Sequence, residues 1–257
     1  MKAPETKIAL ILYTLREHCT TYEDLDKTLE TLKDIGYQAV QVSGVAVDPH
    51  GVKELLEKHN MYACGIHVSR GECLENLQGI KNNLKLWNCD FAALGHPGGN
   101  PFNSEGLDEL VPQLTDIGLK LKEDGYKFGY HNHHGEFVRI NGKLWLEELY
   151  KRTPSDALYA ELDLHWITRG GASPVAWIKK VAGRMQVVHF KDFVMFEGQP
   201  AFCEVGEGNL DWSSILTACA ETGVRWYVVE QDSPFNGRDI FESVAISYKN
   251  LRNMGVK

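Results

Sequence analysis

Four short segments each have the pattern of a buried strand that ends in a residue able to hold a divalent metal ion. They are residues 130–133, 161–163, 187–189 and 228–230. In a barrel of parallel strands, the C-terminal strand ends converge on one open face, so ligands distant in sequence can meet around one ion. Asp163, His189 and Glu230 end three of these segments. Their oxygen and imidazole ligands suit Mn, Mg, Zn, Co or Fe rather than a thiolate-bound soft metal.

The fourth segment is rich in histidine and continues into a loop that contains a carboxylate. Residues i and i+2 of a strand share a face, so His131 and His133 are expected to point together into the barrel mouth. The bland alternative is a histidine-rich surface loop. Because the segment follows an apolar strand, we expect at least two of His131, His133 and Glu136 to act in the site.

The elements that must position these residues alternate between short apolar runs and longer stretches of helical period. The predicted strands are 8–12, 39–42, 63–68, 91–94, 127–131, 158–162, 185–189 and 226–229. Continuous apolar runs are typical of parallel strands that are covered on both faces. The alternation fits either a closed barrel or a doubly wound open sheet. An open sheet usually has a glycine-rich turn after its first strand, and residues 13–17 contain no glycine. The predicted fold is therefore α/β, a single (β/α)8 TIM barrel over residues 1–257.

Capping signals mark the first predicted helix most clearly. Thr20 and Glu23 have the spacing of a capping box, and Gly36 is placed to end the helix. The segment 71–87 has a helical but irregular pattern.

Length, composition and charge exclude several classes of protein. A chain of 257 residues matches one α/β barrel, and 43% hydrophobic residues supply a core. The net charge of -8 argues against nucleic acid as a partner, because tracking phosphates needs clustered Lys and Arg. The six cysteines are scattered, as in proteins of a reducing compartment. An apolar signal segment and a bilayer-length run are both lacking, so we expect a cytoplasmic protein with no membrane partner.

Several segments, in chain order, resemble one known group of enzymes. The segments are residues 13–16, 32–44, 130–133, 161–163, 188–192, 205–208 and 229–232. They resemble the xylose isomerase-like superfamily of sugar phosphate isomerases and epimerases, which shares its barrel with the family 2 AP endonucleases. The resemblance implies a (β/α)8 barrel that holds one divalent ion through Glu, Asp, His and Glu.

The resemblance assigns three ligands directly and leaves the first one open. Asp163, His189 and Glu230 match the family's last three ligands, and His131 stands where the first Glu is expected. Either His131 serves as the fourth ligand, or Glu136 swings in from the loop to restore the carboxylate.

The same substitution bears on proton transfer. In the family's epimerases, two metal-bound glutamates act as acid and base on opposite faces of the sugar. Here Glu230 matches one of them, and the other role falls to His133, His131 or Glu136.

Further residues near the strand ends are candidates for binding the substrate, each with an ordinary structural alternative. Trp166 can stack on a sugar ring or fill the core, and Lys191 can neutralise a phosphate or an enediolate oxygen or form an ion pair. Glu207 resembles a family residue that orders the loop after strand seven. The candidates are Arg16, His67, His96, His165, Trp166, Lys191 and Glu207.

These expectations describe a divalent-metal-dependent sugar or keto-sugar isomerase or epimerase that acts through a metal-stabilised enediolate. The alternative is a lyase or dehydratase that acts on a keto-sugar or keto-glycoside by the same proton abstraction. A metal-dependent endonuclease and a non-catalytic sugar-binding protein are less favoured. The expected partner is a small sugar or keto-sugar, and the sequence leaves homo-oligomers open.

Overall fold

A closed barrel of eight parallel strands organises the computed structural model, which describes residues 6–257. Neighbouring strands pair in chain order, and the first pairs with the last through Ile8 and Tyr227. The strands are β1 (Ile8–Ile11), β2 (Ala39–Val42), β3 (Tyr62–Ser69), β4 (Phe91–His96), β5 (Lys127–His131), β6 (Tyr159–Asp163), β7 (Val187–Phe190) and β8 (Trp226–Val229). The predicted (β/α)8 barrel is confirmed, and closure excludes the open sheet.

The strand bounds agree with the sequence pattern to within a few residues. β2, β5 and β8 have the predicted bounds. β6 begins one residue later than predicted and continues through Asp163, which is its last residue. Strand ends assigned by hydrogen bonding usually differ by one or two residues from ends read from the apolar pattern.

Helices follow the strands and cover the outside of the barrel. They are α1 (Tyr22–Ile35), α2 (Pro49–His59), α3 (Arg70–Glu75), α4 (Leu77–Leu86), α5 (Ser104–Lys122), α6 (Trp145–Arg152), α7 (Leu164–Arg169), α8 (Pro174–Lys180), α9 (Trp212–Glu221) and α10 (Ile240–Asn253). The irregular segment 71–87 forms most of α3 and α4. Within residues 6–257, each helix is too short or too polar to cross a bilayer.

The predicted cap of α1 is wrong by one residue. Thr21, not Thr20, is the N-cap, and its side chain accepts a hydrogen bond from the backbone of Asp24. Thr20 instead donates to the Asp24 carboxylate, because the helix begins only at Tyr22. Gly36 ends the helix with φ of 120°, as its sequence position predicts.

The inside of the barrel is divided into an apolar layer and a polar layer. The apolar layer lies near the N-terminal ends of the strands and includes Phe91, Val187 and Trp226. Several residues at or near the C-terminal ends are polar and buried, as with Asp163 and His189. The apolar core therefore fills the end of the barrel formed by the N-terminal strand ends. The C-terminal strand ends, which we call the upper end, carry the candidate functional residues.

Two hairpins extend from the upper end of the barrel. The first pairs Arg139–Ile140 with Lys143–Leu144, after β5. The second pairs Asp192–Phe196 with Gln199–Cys203, directly after β7. The sequence pattern did not predict either hairpin, since they belong to no repeat of strand and helix.

Candidate metal centre and barrel mouth

Alternation along the strands turns one set of polar side chains into the barrel. His131 pairs with Glu161 across β5 and β6, and Asp163 pairs with His189 across β6 and β7. Residues two apart on a strand share a face, so Glu161 and Asp163 both point inward, one layer apart. Closure of the barrel then brings these side chains together at its upper end.

Four of these residues form what we term the rim cluster: His131, Asp163, His189 and Glu230. One ligand atom from each lies within 4.8 Å of the others. All four side chains are buried. Asp163, His189 and Glu230 are the three ligands predicted directly, and His131 is one of the two candidates for the fourth. Ion binding itself stays a prediction. Two imidazoles and two carboxylates suit a borderline or hard divalent cation.

The rim cluster contains a buried acceptor that the protein does not satisfy. Asp163 Oδ2 accepts no hydrogen bond, whereas Oδ1 accepts one from the backbone of Trp166 at 2.9 Å. Burial, together with the charge of Glu230, raises the pKa of Asp163 to about 8, although Lys191 opposes the shift. A bound cation would satisfy this oxygen and stabilise its charged form, so the cluster fits a metal ion.

His189 is held by hydrogen bonds at both ring nitrogens. Nδ1 lies 2.6 Å from Glu230 Oε2, and Nε2 lies 2.7 Å from Gln41 Oε1. Burial disfavours the charged imidazole, but Glu161 and Glu230 outweigh burial and raise its pKa to about 10. In the protein without a metal, the His189 imidazolium therefore balances the carboxylates beside it.

Lys191 supplies a fixed positive charge next to the rim cluster. Its Nζ lies 3.6 Å from Asp163, 3.4 Å from Glu230 and 2.6 Å from Asp232. The side chain is 1% exposed, and the rings of Trp166 and Phe202 lie 4.9 and 5.0 Å from the ammonium. Burial disfavours the ammonium, but the three carboxylates outweigh burial and raise its pKa.

A second group, which we term the three-histidine cluster, comprises His67, His131, Glu161 and His189. Glu161 Oε2 lies 2.5 Å from His67 Nε2 and 3.3 Å from His131 Nδ1. The other oxygen, Oε1, accepts a hydrogen bond from Gln41. Neither Glu161 nor Gln41 is among the residues predicted from the sequence. A signal was present for Glu161, because it lies two residues before Asp163 on the same strand and must share its face.

The barrel mouth is a cavity of about 530 Å³ that opens beside the rim cluster. Its lining includes six of the predicted residues and also Asp232. The six are Arg16, His67, His96, His131, His133 and Glu230.

His133 is the neutral imidazole of this cavity. Burial, followed by the nearby His131, lowers its pKa to about 2. Its Nδ1 is buried without a hydrogen-bond partner. The ring is therefore neutral at pH 7 but a weaker base than an ordinary imidazole, so its predicted role as a base stays a prediction.

Glu136 lies behind strand β5 rather than in the mouth. It is fully buried, and its Oε1 accepts a hydrogen bond from Tyr130 at 3.0 Å. Neither cluster of the described residues includes it, and its Oε1 lies 4.0 Å from His133 Nδ1. Because Tyr130 faces the helices, this geometry favours His131 over Glu136 as the fourth ligand.

Four of the predicted binding residues lie outside the mouth lining: His165, Trp166, Lys191 and Glu207. His165 is buried, and its Nδ1 lies 2.8 Å from the backbone oxygen of Asp192. Trp166 covers Lys191 with its ring. Glu207 accepts a hydrogen bond from Asn250 at 2.8 Å, so it anchors the loop to α10, as its loop-ordering alternative predicts.

Another cavity, of about 720 Å³, lies between the upper ends of β2 and β3 and the helices α2 and α4. Ser43, His67 and Val68 line both this cavity and the mouth. The two spaces therefore adjoin at His67. The rim cluster and the three-histidine cluster lie at the mouth.

Comparison with known proteins agrees with this architecture. In curated sequences, inosose dehydratase of Clostridium beijerinckii is 26% identical over 147 residues, which is 51% of this chain and 49% of that protein. The chain thus spans about half the length of the curated relatives it matches.

Solved structures resemble the chain over almost its whole length. A sugar phosphate isomerase/epimerase from Parabacteroides distasonis has a TM-score of 0.80 at 20% identity, with 98% of this chain and 96% of that chain covered. D-allulose 3-epimerase from Methylomonas sp., in complex with D-allulose, has a TM-score of 0.73 at 11% identity, with 97% and 98% covered. At these identities the likeness shows the fold.

A family model described as a xylose isomerase-like TIM barrel matches residues 29–249, which is more than half of the chain. The match agrees with the resemblance found in the sequence segments and with the closed barrel of the structure. The chain belongs to the xylose isomerase-like TIM barrel family.

Proposed function

We propose that the protein is a divalent-metal-dependent enzyme that isomerises or epimerises a sugar or keto-sugar. The observation that carries the proposal is the rim cluster, in which four ligand atoms within 4.8 Å of one another adjoin a cavity of about 530 Å³. A divalent ion held there would polarise a substrate carbonyl and acidify the neighbouring C–H bond. His131, Asp163, His189 and Glu230 would hold it.

The side chains around this site provide the remaining functions. His133 lines the cavity beside the rim cluster, where it is placed to take the proton from the carbon beside the carbonyl and return it. Lys191 holds positive charge close to Asp163 and Glu230, which keeps both carboxylates in place. Arg16 and His96 line the opening, where they can contact substrate hydroxyl groups.

A second candidate is elimination on a keto-sugar or keto-glycoside by the same proton abstraction. The specific observation is that His131 stands where the family's first glutamate is expected, so the pair of carboxylates that serves an epimerase is incomplete. The curated relative from Clostridium beijerinckii is named as a dehydratase, which is an enzyme of this elimination class. The two candidates differ only in whether the neighbouring carbon loses a substituent after proton removal.

Metal dependence can be tested with two matched aspartate variants. Asp163 and Asp211 each cap a helix through a side-chain oxygen, at 2.9 and 3.1 Å from the donor nitrogens of Trp166 and Ser214. Asparagine caps helices equally well, so Asp163→Asn and Asp211→Asn should both fold. Metal content and turnover should fall only in Asp163→Asn. A protein that holds no ion after loading with Mn²⁺, Mg²⁺, Zn²⁺, Co²⁺ or Fe²⁺ would contradict the proposal.

The reaction type can be tested in D₂O with D-allulose and an inosose as probes. Isomerisation or epimerisation gives a product with the same formula and solvent deuterium at the exchanged carbon. Elimination gives a product that has lost water. Binding of these sugars without metal-dependent exchange would indicate a sugar-binding protein, and three bound ions per chain would revive the nuclease alternative.

A further inference from the structure

We propose that Glu161 is the positioning residue that sets which ring nitrogen each rim-cluster histidine presents to a metal ion. It acts directly on His131 and through the Gln41 amide on His189. The inference rests on the metal centre of the proposed function and adds a layer beneath it. Glu161 is completely buried, and its two oxygens face Gln41 on one side and His67 and His131 on the other. One carboxylate therefore contacts His131 directly and contacts Gln41, which in turn bonds to His189.

The side-chain amide of Gln41 is held in one orientation. Its Nε2 donates to Glu161 Oε1 at 2.7 Å. An ionised carboxylate only accepts hydrogen bonds, so the NH₂ end of the amide must face it. The amide oxygen of Gln41 is thereby turned away from Glu161 and toward His189.

The tautomer of His189 follows from that orientation. Its Nε2 lies 2.7 Å from Gln41 Oε1, and an amide oxygen only accepts. Nε2 must therefore carry a proton and cannot ligate an ion. The nitrogen left for a metal is Nδ1, which lies on the side of Glu230, 2.6 Å from its Oε2.

The other histidine of the rim cluster is His131. Its buried Nδ1 lies 3.3 Å from Glu161 Oε2, so this carboxylate is the acceptor within reach of a proton on Nδ1. Nδ1 makes no hydrogen bond in the protein without a metal. With the proton on Nδ1, the lone pair is on Nε2, and His131 ligates through that atom. The same oxygen also holds His67, which lines the mouth.

The network explains why we expect no second ion at the three-histidine cluster. That cluster instead orients the histidines that hold the ion at the rim cluster. A metal at that cluster would need Nε2 of His189, which Gln41 holds in its protonated form. Partners that orient metal-bound histidines typically contribute about 10- to 100-fold in metal affinity. Glu161 and Gln41 are expected to contribute this much to the rim cluster without touching the ion.

Variants of the network provide the first test. Glu161→Gln introduces an NH₂ group that opposes Gln41 or the histidines, and Gln41→Leu removes the acceptor for His189. Each should weaken Co²⁺ binding by roughly 10- to 100-fold in a chelator competition and alter the visible spectrum of the bound Co²⁺. The control is Glu204→Gln, since Glu204 is an equally buried carboxylate that pairs with Arg238 at 2.8 Å. It should bind Co²⁺ as the wild type does.

The outcomes separate this inference from the proposed function. Wild-type protein that binds no Co²⁺ would overturn the metal centre and the inference together. If the wild type binds Co²⁺ and the folded variants Glu161→Gln and Gln41→Leu bind it with the same affinity, the inference alone is overturned.

A measurement on the wild type covers the case in which the variants do not fold. In Zn²⁺-loaded protein with ¹⁵N-labelled histidine, long-range ¹H–¹⁵N spectra identify the ligating and the protonated nitrogen of each ring. We expect His189 to ligate through Nδ1 and His131 through Nε2. Ligation by His189 through Nε2 would contradict the inference.

Discussion

Single residues at the barrel mouth owe their charge states mainly to burial. Burial favours the neutral form of an ionisable group unless opposite charges compensate. His133 and Glu136 are disfavoured as ions for this reason, with pKa values lowered to about 2 and raised to about 7. Lys191 stays charged because Glu230, Asp163 and Asp232 surround it. The mouth is therefore lined by a neutral imidazole, and a fixed cation lies beside the rim cluster.

The histidine segment yields a prediction that separates ligand from base. His131→Ala should lower metal occupancy, because it removes one of the four rim-cluster ligands. His133→Ala should retain the metal and lose turnover, because it removes the imidazole of the cavity. Metal analysis and a turnover assay on both variants test this assignment. It is the wrong way round if Glu136→Gln loses the metal while His131→Ala keeps it.

Glu136 makes stability depend on pH in a defined direction. Burial raises its pKa from 4.5 to about 7, so the folded state binds its proton more tightly than the unfolded state. This contribution to stability is complete below the unfolded pKa and is lost as pH rises through the folded pKa. From about pH 5 to about pH 8, the wild type should lose about 2 to 3 kcal/mol relative to Glu136→Gln.

Urea unfolding of both proteins in the presence of a chelator measures this difference. Comparing the wild type with Glu136→Gln cancels the titration of the groups that the two proteins share. An unfolding free energy that shifts equally in both proteins between the two pH values would show that Glu136 titrates normally.

At the scale of elements, the segment after β7 is organised by one buried carboxylate. Asp192 accepts hydrogen bonds from Gly206 at 2.8 Å, Gly208 at 3.2 Å and Trp212 Nε1 at 2.6 Å. A Cβ on Gly208 would lie 2.4 Å from Asp192 Oδ1, so this close approach requires glycine. The hairpin and the following loop are thereby fixed beside Lys191.

Asp192→Asn should destabilise this loop. The new NH₂ group faces donors instead of accepting from them, so at least one buried hydrogen bond to a charged acceptor is lost. We expect a loss of about 2 to 4 kcal/mol in unfolding free energy. Faster amide hydrogen exchange at Gly206 and Gly208 should accompany it. Asp211→Asn, at an exposed helix cap, is the control, and equal exchange in both variants would contradict the role of Asp192.

At the scale of the whole molecule, the net charge of -8 decides which partners can associate. A protein gains affinity for duplex DNA when clustered Lys and Arg release counterions from the phosphates. Acidic residues outnumber basic ones by 35 to 27 in this chain. We therefore expect no tight binding to duplex DNA at physiological salt, and submicromolar binding in a gel-shift experiment would contradict this.

Much of the barrel and of its ligand types was determined by the sequence alone. Parallel strands that are covered on both faces must be apolar, which made β2, β5 and β8 recognisable with their bounds. Polar residues at the ends of such strands stand out against the apolar runs. Asp163 and His189 were found for that reason.

Tertiary structure alone decided which polar groups meet and which turn away. Gln41 and Glu161 lie 120 residues apart in the chain and bond only because the barrel closes. Glu136 is adjacent to the histidine segment in sequence, yet its short 3₁₀ helix turns it toward Tyr130. Residue type and spacing predict the face of a strand, since side chains alternate along it. Contacts across the barrel and the directions of loop side chains depend on the packing of the whole molecule.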